Sequence, residues 1–177
     1  MDEVKTKKNK QKKSRSFLSS FCSFFGTMIL IIVIISALPL AVPRIFGLNI
    51  FNVISPSMDP AIPMGSIVYT KKVDPRILES GDVIAFSRNE DVVMHRVVVN
   101  TKERGELTTK GDANEMVDID PVQYRKVIGI VKLHIPYLGA IAGFYASSRG
   151  KIYAICLIVS GALFSLVGSL TQKRGDE

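Results

Sequence analysis

Asp91–Val99 reads DVVMHRVVV. Five of its nine residues are valine, a β-branched side chain that packs well on a pleated strand and poorly in a helix. Side chains alternate across a strand, so Val93, His95 and Val97 fall on one face. A histidine between two valines is either satisfied in or beside a core, or held there so that its imidazole can work. The rest of the chain decides between these readings.

The stretches around it repeat the same grammar. SIVYTKKV (Ser66–Val73) follows Pro63-Met64-Gly65, DVIAFS (Asp82–Ser87) follows Ser80-Gly81, and ELTTKG (Glu106–Gly111) follows Arg104-Gly105. KVIGIVKLHI (Lys126–Ile135) stops before Pro136. Short Val/Ile-rich runs separated by turn residues predict a mainly β fold, with one small core over residues 44–140.

Two uncharged stretches flank this region. Residues 17–43, centred on MILIIVIISALPLAV (Met28–Val42), contain no Asp, Glu, Lys, Arg or His. At about 1.5 Å per residue a helix of that length exceeds the roughly 30 Å hydrocarbon core of a bilayer. Residues 152–170, IYAICLIVSGALFSLVGSL, are equally free of charge and are followed by Lys173 and Arg174. Both read as transmembrane helices, with 141–151 as an interfacial segment. The first apolar run is too long for a cleaved leader, whose apolar core is about 7–15 residues, so an uncleaved anchor is expected.

The net charge of +7 is concentrated in one place: Lys5, Lys7, Lys8, Lys10, Lys12, Lys13 and Arg15 precede the first apolar run. A basic run there fixes membrane orientation or meets anionic lipid; it does not argue for nucleic acid. The positive-inside rule predicts cytoplasmic tails at 1–16 and 171–177, with the β-rich domain extracytoplasmic in a multi-pass cell-membrane protein. Cys22 and Cys156 fall at opposite depths of the two spans, beyond disulfide reach. No Cys/His spacing suggests a metal, and no cofactor is expected.

Within the β region the residues able to do chemistry come in a definite order. Ser55 and Ser57 lie in NVISPSMDPAI (Asn52–Ile62), His95 follows, and then TKGDANEMVDID supplies Asp112, Asp118 and Asp120. Taken singly, the serines suit a turn and the aspartates a solvated loop. Together they are the parts of a Ser-His-Asp site, in which a base activates a weak hydroxyl nucleophile and a carboxylate orients that base. The second histidine, His134 in KLHIPYLG, has no such company and reads as structural or exposed.

SPSMDP followed by GDVIAF, MHRVV and TKGDAN resembles the membrane-bound type I signal peptidases. The resemblance is greatest to the ER/archaeal-type branch, which has histidine where the usual bacterial enzymes have lysine. It covers about residues 50–140 and the anchor before them. It implies a β-rich protease domain between two membrane helices, with Ser57 as nucleophile, His95 as general base and Asp118 as third member. Asp112 would be a further carboxylate of the site, and the Ser57 N–H with the Ser55 hydroxyl would form the oxyanion hole.

The implied reaction is removal of signal peptides from translocated secretory precursors after small residues in an Ala-x-Ala-like pattern. The strand before His95 (Val92, Val93, Met94) and the one entering Ser55 would receive the extended peptide. Membrane lipid and the precursors are the implied partners, and association with the translocation machinery is a further one to test. The family usually has Gly between the two serines where this chain has Pro56, which lacks an N–H but leaves that of Ser57 available. Two other readings stay open: a lysine base from Lys71, Lys72 or Lys110, and a non-catalytic membrane-anchored β-domain that binds secreted peptides.

Overall fold

The structure, a computed structural model, describes residues 2–176. Residues 39–143 form one compact unit, and the helical segments before and after it in sequence form another.

Three α-helices flank the sheet in sequence, α1 (Asp2–Ile45), the short α2 (Gly139–Ala146) and α3 (Ser148–Asp176). Of these, α1 and α3 contain the apolar stretches Ser19–Ile45 and Ser148–Gln172, each long enough to cross a membrane. Most of their large side chains face outward, among them Ile32, Ile35, Leu163 and Val167. Side chains of that kind, exposed all round a helix, are stable against lipid and not against water. The two helices meet at small residues. A Cβ on Gly26 would come within 2.6 Å of Gly161 O and 2.5 Å of Ser165 N, so this close backbone approach requires glycine. Ser36 Oγ of α1 also hydrogen-bonds to Tyr145 Oη of α2 at 2.7 Å.

The other unit is a seven-stranded antiparallel sheet. Its strands are β1 (Asn49–Asn52), β2 (Ile67–Lys71), β3 (Val83–Arg88), β4 (Asp91–Thr101), β5 (Glu106–Lys110), β6 (Val122–Gln123) and β7 (Val127–Ile135). Their order is β1-β2-β7-β3-β4-β5-β6. The five runs read from sequence are β2, β3, β4, β5 and β7. The two-residue β6 is too short to carry an alternation signal.

The single core expected from the sequence is instead two. Val53, Met58, Ile62, Val68, Ala85 and Met94 pack on one face, and Leu78, Ile84, Phe86, Val97, Leu107 and Val122 on the other. Period-2 alternation accounts for the division: Ala85 points one way from β3 while Ile84 and Phe86 point the other. A bulge between Val97 and Val99 shifts the register of β4 against β5, and Val98 and Val99 are both exposed.

The last turn of α1 belongs to the β unit and is tied to it by a defect in the helix. Pro43 has no N–H with which to reach the carbonyl four residues back. That carbonyl, Pro39 O, accepts from Tyr69 Oη on β2 at 3.0 Å. An orphaned helical acceptor is thus satisfied by a buried side chain of the sheet.

Candidate active site

His95 sits in the middle of β4, 5% exposed, opposite Ile84 of β3. Strand alternation puts it on the face shared with Val93 and Val97, as the sequence predicts. The Phe86 ring meets it edge-on, with centroids 6.1 Å apart. Its Nδ1 lies 2.6 Å from Asp118 Oδ2.

Asp118 is held on the loop after β5 from two sides. Its own N–H donates to Thr109 O at 2.8 Å, and Thr109 Oγ1 donates to Asp118 Oδ2 at 2.6 Å. Arg88 Nη2 approaches the same oxygen at 3.3 Å. Burial alone pushes the carboxyl upward, but the hydrogen bonds from Thr109 and His95, with the charges of His95 and Arg88, outweigh it and hold Asp118 below the usual carboxylate range. Asp118 is therefore an anion beside the imidazole at neutral pH.

Asp112 is engaged elsewhere. Arg96, the residue after His95 and so on the opposite face of β4, grips it with two hydrogen bonds. Nε reaches Oδ1 at 2.8 Å and Nη2 reaches Oδ2 at 2.6 Å. Arg96 Nη1 also donates to Gly81 O at 2.7 Å. The hydrogen bonds that Arg96 donates to Asp112 raise the Arg96 pKa above the ordinary arginine value. Two aspartates six residues apart thus serve the two faces of one strand, Asp118 at His95 and Asp112 at Arg96.

Ser57 lies on the segment after β1. Asp59 N–H donates to Pro56 O at 2.9 Å, which closes a turn around the serine, and the next side chain, Met58, is buried in the same cluster as Met94 of β4. The Ser57 carbonyl accepts from Ala113 N at 2.9 Å. Gly111 lets it come so close, since a Cβ there would lie 2.6 Å from Ser57 O. The serine segment is therefore fixed to the turn that directly follows β5, beside the β4 residues around His95. Ser57 Oγ hydrogen-bonds to Ser55 Oγ at 3.3 Å and not to His95. Nucleophile–base hydrogen bonds are often long or unformed without substrate.

Val92, Val93 and Met94 differ in environment. Val92 is exposed, Val93 half-buried, and Met94 is a core residue. What they share is backbone: β4 pairs with β3 from Asp91 to Arg96 but with β5 only from Arg96 onward. Among the described residues, one edge of Asp91–His95 is without a strand partner. Thr109 and Arg88 are the site residues that sequence reasoning missed. Thr109 opens the same TKGDANEMVDID stretch that holds Asp118, but nothing in that stretch shows the loop folding back on it. Arg88 stands in no motif with the triad residues, and only the β3–β4 pairing brings it to their face.

No family model matches the chain. It is 38% identical over 89 residues to "Signal peptidase I W" of Bacillus subtilis (strain 168), an alignment covering 48% of this chain and 47% of that protein. It is 28% identical over 101 residues to "Signal peptidase complex catalytic subunit SEC11C" of Homo sapiens, covering 50% of this chain and 53% of that protein. The Mus musculus protein of the same name matches equally. The chain spans about half the length of the curated relatives it matches. With its β-rich unit between two apolar helices in sequence, the chain is related to the signal peptidase I family.

Proposed function

We propose that the chain is a membrane-bound serine endopeptidase that removes N-terminal signal peptides from translocated precursors after small residues. The observation that carries this reading is the hydrogen bond of 2.6 Å between His95 Nδ1 and Asp118 Oδ2 on a buried strand, with Ser57 on the adjoining segment.

In this reading Asp118 holds the His95 proton on Nδ1, so Nε2 is free to take the proton of Ser57 Oγ as it attacks the scissile carbonyl. The imidazolium formed is stabilised by the anionic Asp118 and then protonates the leaving amine. Water attacks the acyl-enzyme by the same route. The Ser57 N–H and the Ser55 hydroxyl receive the oxyanion. Asp112 braces the loop through Arg96 and does no proton transfer. The precursor adds as an extended strand along Val92–Met94, with the strand entering Ser55 on its other side.

The basic residues between positions 5 and 15, ahead of the first apolar run, favour a cytoplasmic start, an extracytoplasmic β unit and a cytoplasmic tail at 171–177. Enzyme and precursor are then anchored in the same bilayer, which raises the effective concentration of the cleavage site. The same location brings the site close to the translocation machinery. The test is cleavage of a synthetic precursor by the detergent-solubilised full chain. Wild type should cut after an Ala-x-Ala site, and Ser57→Ala and His95→Ala should not. An intact precursor with wild type, together with no labelling by an active-serine probe, would favour a peptide-binding domain instead.

A further inference from the structure

Arg88 is the last residue of β3, directly before the turn residues Asn89 and Glu90, whose φ values of 47° and 72° fold the hairpin back. The register pairs Arg88 with Asp91, Phe86 with Val93 and Ile84 with His95. Alternation therefore puts Arg88, Phe86 and His95 on one face of the sheet. The guanidinium carbon lies 5.2 Å from the centroid of the Phe86 ring, the ring that also meets His95 edge-on. From that perch Nη2 reaches Asp118 Oδ2 at 3.3 Å. The same oxygen takes His95 and Thr109, each at 2.6 Å. Two hydrogen-bonding groups and one permanent cation converge on one carboxylate oxygen.

We propose that Arg88 is a positioning residue that shares the Asp118 carboxylate with His95 and so limits how basic the imidazole becomes. The proposal rests on the peptidase reading of Ser57, His95 and Asp118. A guanidinium already on Oδ2 weakens the pull of the carboxylate on an imidazolium and repels that imidazolium directly. His95 is thereby kept neutral, and able to accept a proton, to lower pH than the His95–Asp118 pair alone would allow.

The other charges around the pair do not duplicate this. Asp91 shares the face but is exposed at the hairpin end, Lys110 alternates to the opposite face of β5, and Arg96 and Asp112 neutralise one another there. Glu115 and Asp120 on the loop are exposed, and Asp59 lies beyond Met58 on the serine segment. Arg88, with its side chain 34% exposed against 7% for Asp118, is the cation that reaches the carboxylate from the rim.

The test compares Arg88→Met, which keeps a flexible stem over Phe86 but no charge, with Arg88→Lys, which keeps the charge. The chain has only two histidines, so a His134→Gln background leaves His95 as the one imidazole signal. In the detergent-solubilised full chain carrying Ser57→Ala, an NMR titration of His95 should move to higher pH by half a unit or more in Arg88→Met, a threefold or greater gain in proton affinity. Arg88→Lys should stay near wild type. With Ser57 present, the acid limb of kcat/KM for precursor cleavage should move the same way, and the alkaline plateau should change far less.

Superimposable titrations for wild type and Arg88→Met would overturn the proposal even if the chain cleaves precursors. A moved titration in a chain that cleaves nothing would sustain the Arg88 coupling and remove the peptidase reading. Loss of activity without movement of either pH curve would reduce Arg88 to a packing residue.

Discussion

Arg96 and Asp112 form a two-pronged ion pair, Nε to Oδ1 at 2.8 Å and Nη2 to Oδ2 at 2.6 Å, behind the strand that presents His95. It joins β4 to the turn that seats the Ser57 carbonyl, and through Gly81 O it also ties in the start of β3. Asp112→Asn should therefore act first on structure. Hydrogen bonds to charged groups contribute about 1.5–3 kcal/mol. With Arg96 partly exposed, solvent screening reduces this to about 1–2 kcal/mol. The thermal midpoint of the β unit in detergent should fall by several degrees, with a moderate loss of activity. An unchanged midpoint would mean that the pair braces nothing.

Asp118→Asn should do the reverse. The fold should survive, while kcat falls by an amount approaching the ~10⁴ seen when a triad carboxylate is neutralised and the histidine tautomer is lost. Precursor cleavage and thermal unfolding measured on the same sample separate the two aspartates. If Asp112→Asn shows the larger kcat loss with an undisturbed fold, the roles are exchanged.

Thr109→Val removes a donor to Asp118 Oδ2 with almost no change in shape. It should lower activity by about tenfold, since hydrogen bonds that favour a charged form are lost. It should also alter acid stability. The Asp118 carboxyl is held below its ordinary value, so its stabilisation is fully present above the unfolded carboxylate pKa of about 3.9 and disappears as pH falls through the lower native value. The gap in thermal midpoint between wild type and Thr109→Val should persist at pH 5 and above and narrow below about pH 4. A gap that widens with acid would reverse the sign and discount the anion.

Gly111→Ala inserts a Cβ 2.6 Å from Ser57 O and 2.7 Å from Asn114 Nδ2. Either the serine segment or the turn must shift, and a displacement of about 1 Å at a reacting group can cost about 10² in rate. Labelling of Ser57 by an active-serine probe should slow by that order, and the unfolding midpoint should fall as well because a backbone atom has to yield. Wild-type labelling would show that the serine is positioned by other contacts.

Ser55 is exposed and its hydroxyl lies 3.3 Å from Ser57 Oγ. As an oxyanion donor it should cost about 10²–10³ in kcat when replaced by alanine, with little change in stability because the residue is exposed. Ser55→Thr should recover part of the rate. Equal kcat for wild type and Ser55→Ala would remove it from the hole and leave the Ser57 N–H as its donor.

What the sequence determined by itself were the properties that depend on local order. Charge-free runs of helical length identify the apolar helices. Short runs bounded by turn residues, most of them rich in Val and Ile, identify five of the seven strands. Alternation in DVVMHRVVV assigns His95 to a face. Each follows from which neighbours a side chain has within a few residues, and backbone geometry makes those neighbours periodic.

The tertiary structure decided everything that depends on which strands lie side by side. Only the β4–β5 register brings Thr109 and the Asp118 it holds to the His95 face, only the β3–β4 register brings Arg88 there, and only the opposite directions of His95 and Arg96 on one strand send Asp118 and Asp112 to different faces. The two-residue β6 and the division into two cores likewise emerge from pairing. Sequence spacing places both aspartates in one loop. Which of them meets the imidazole is fixed by long-range hydrogen bonds that close only when the sheet has formed.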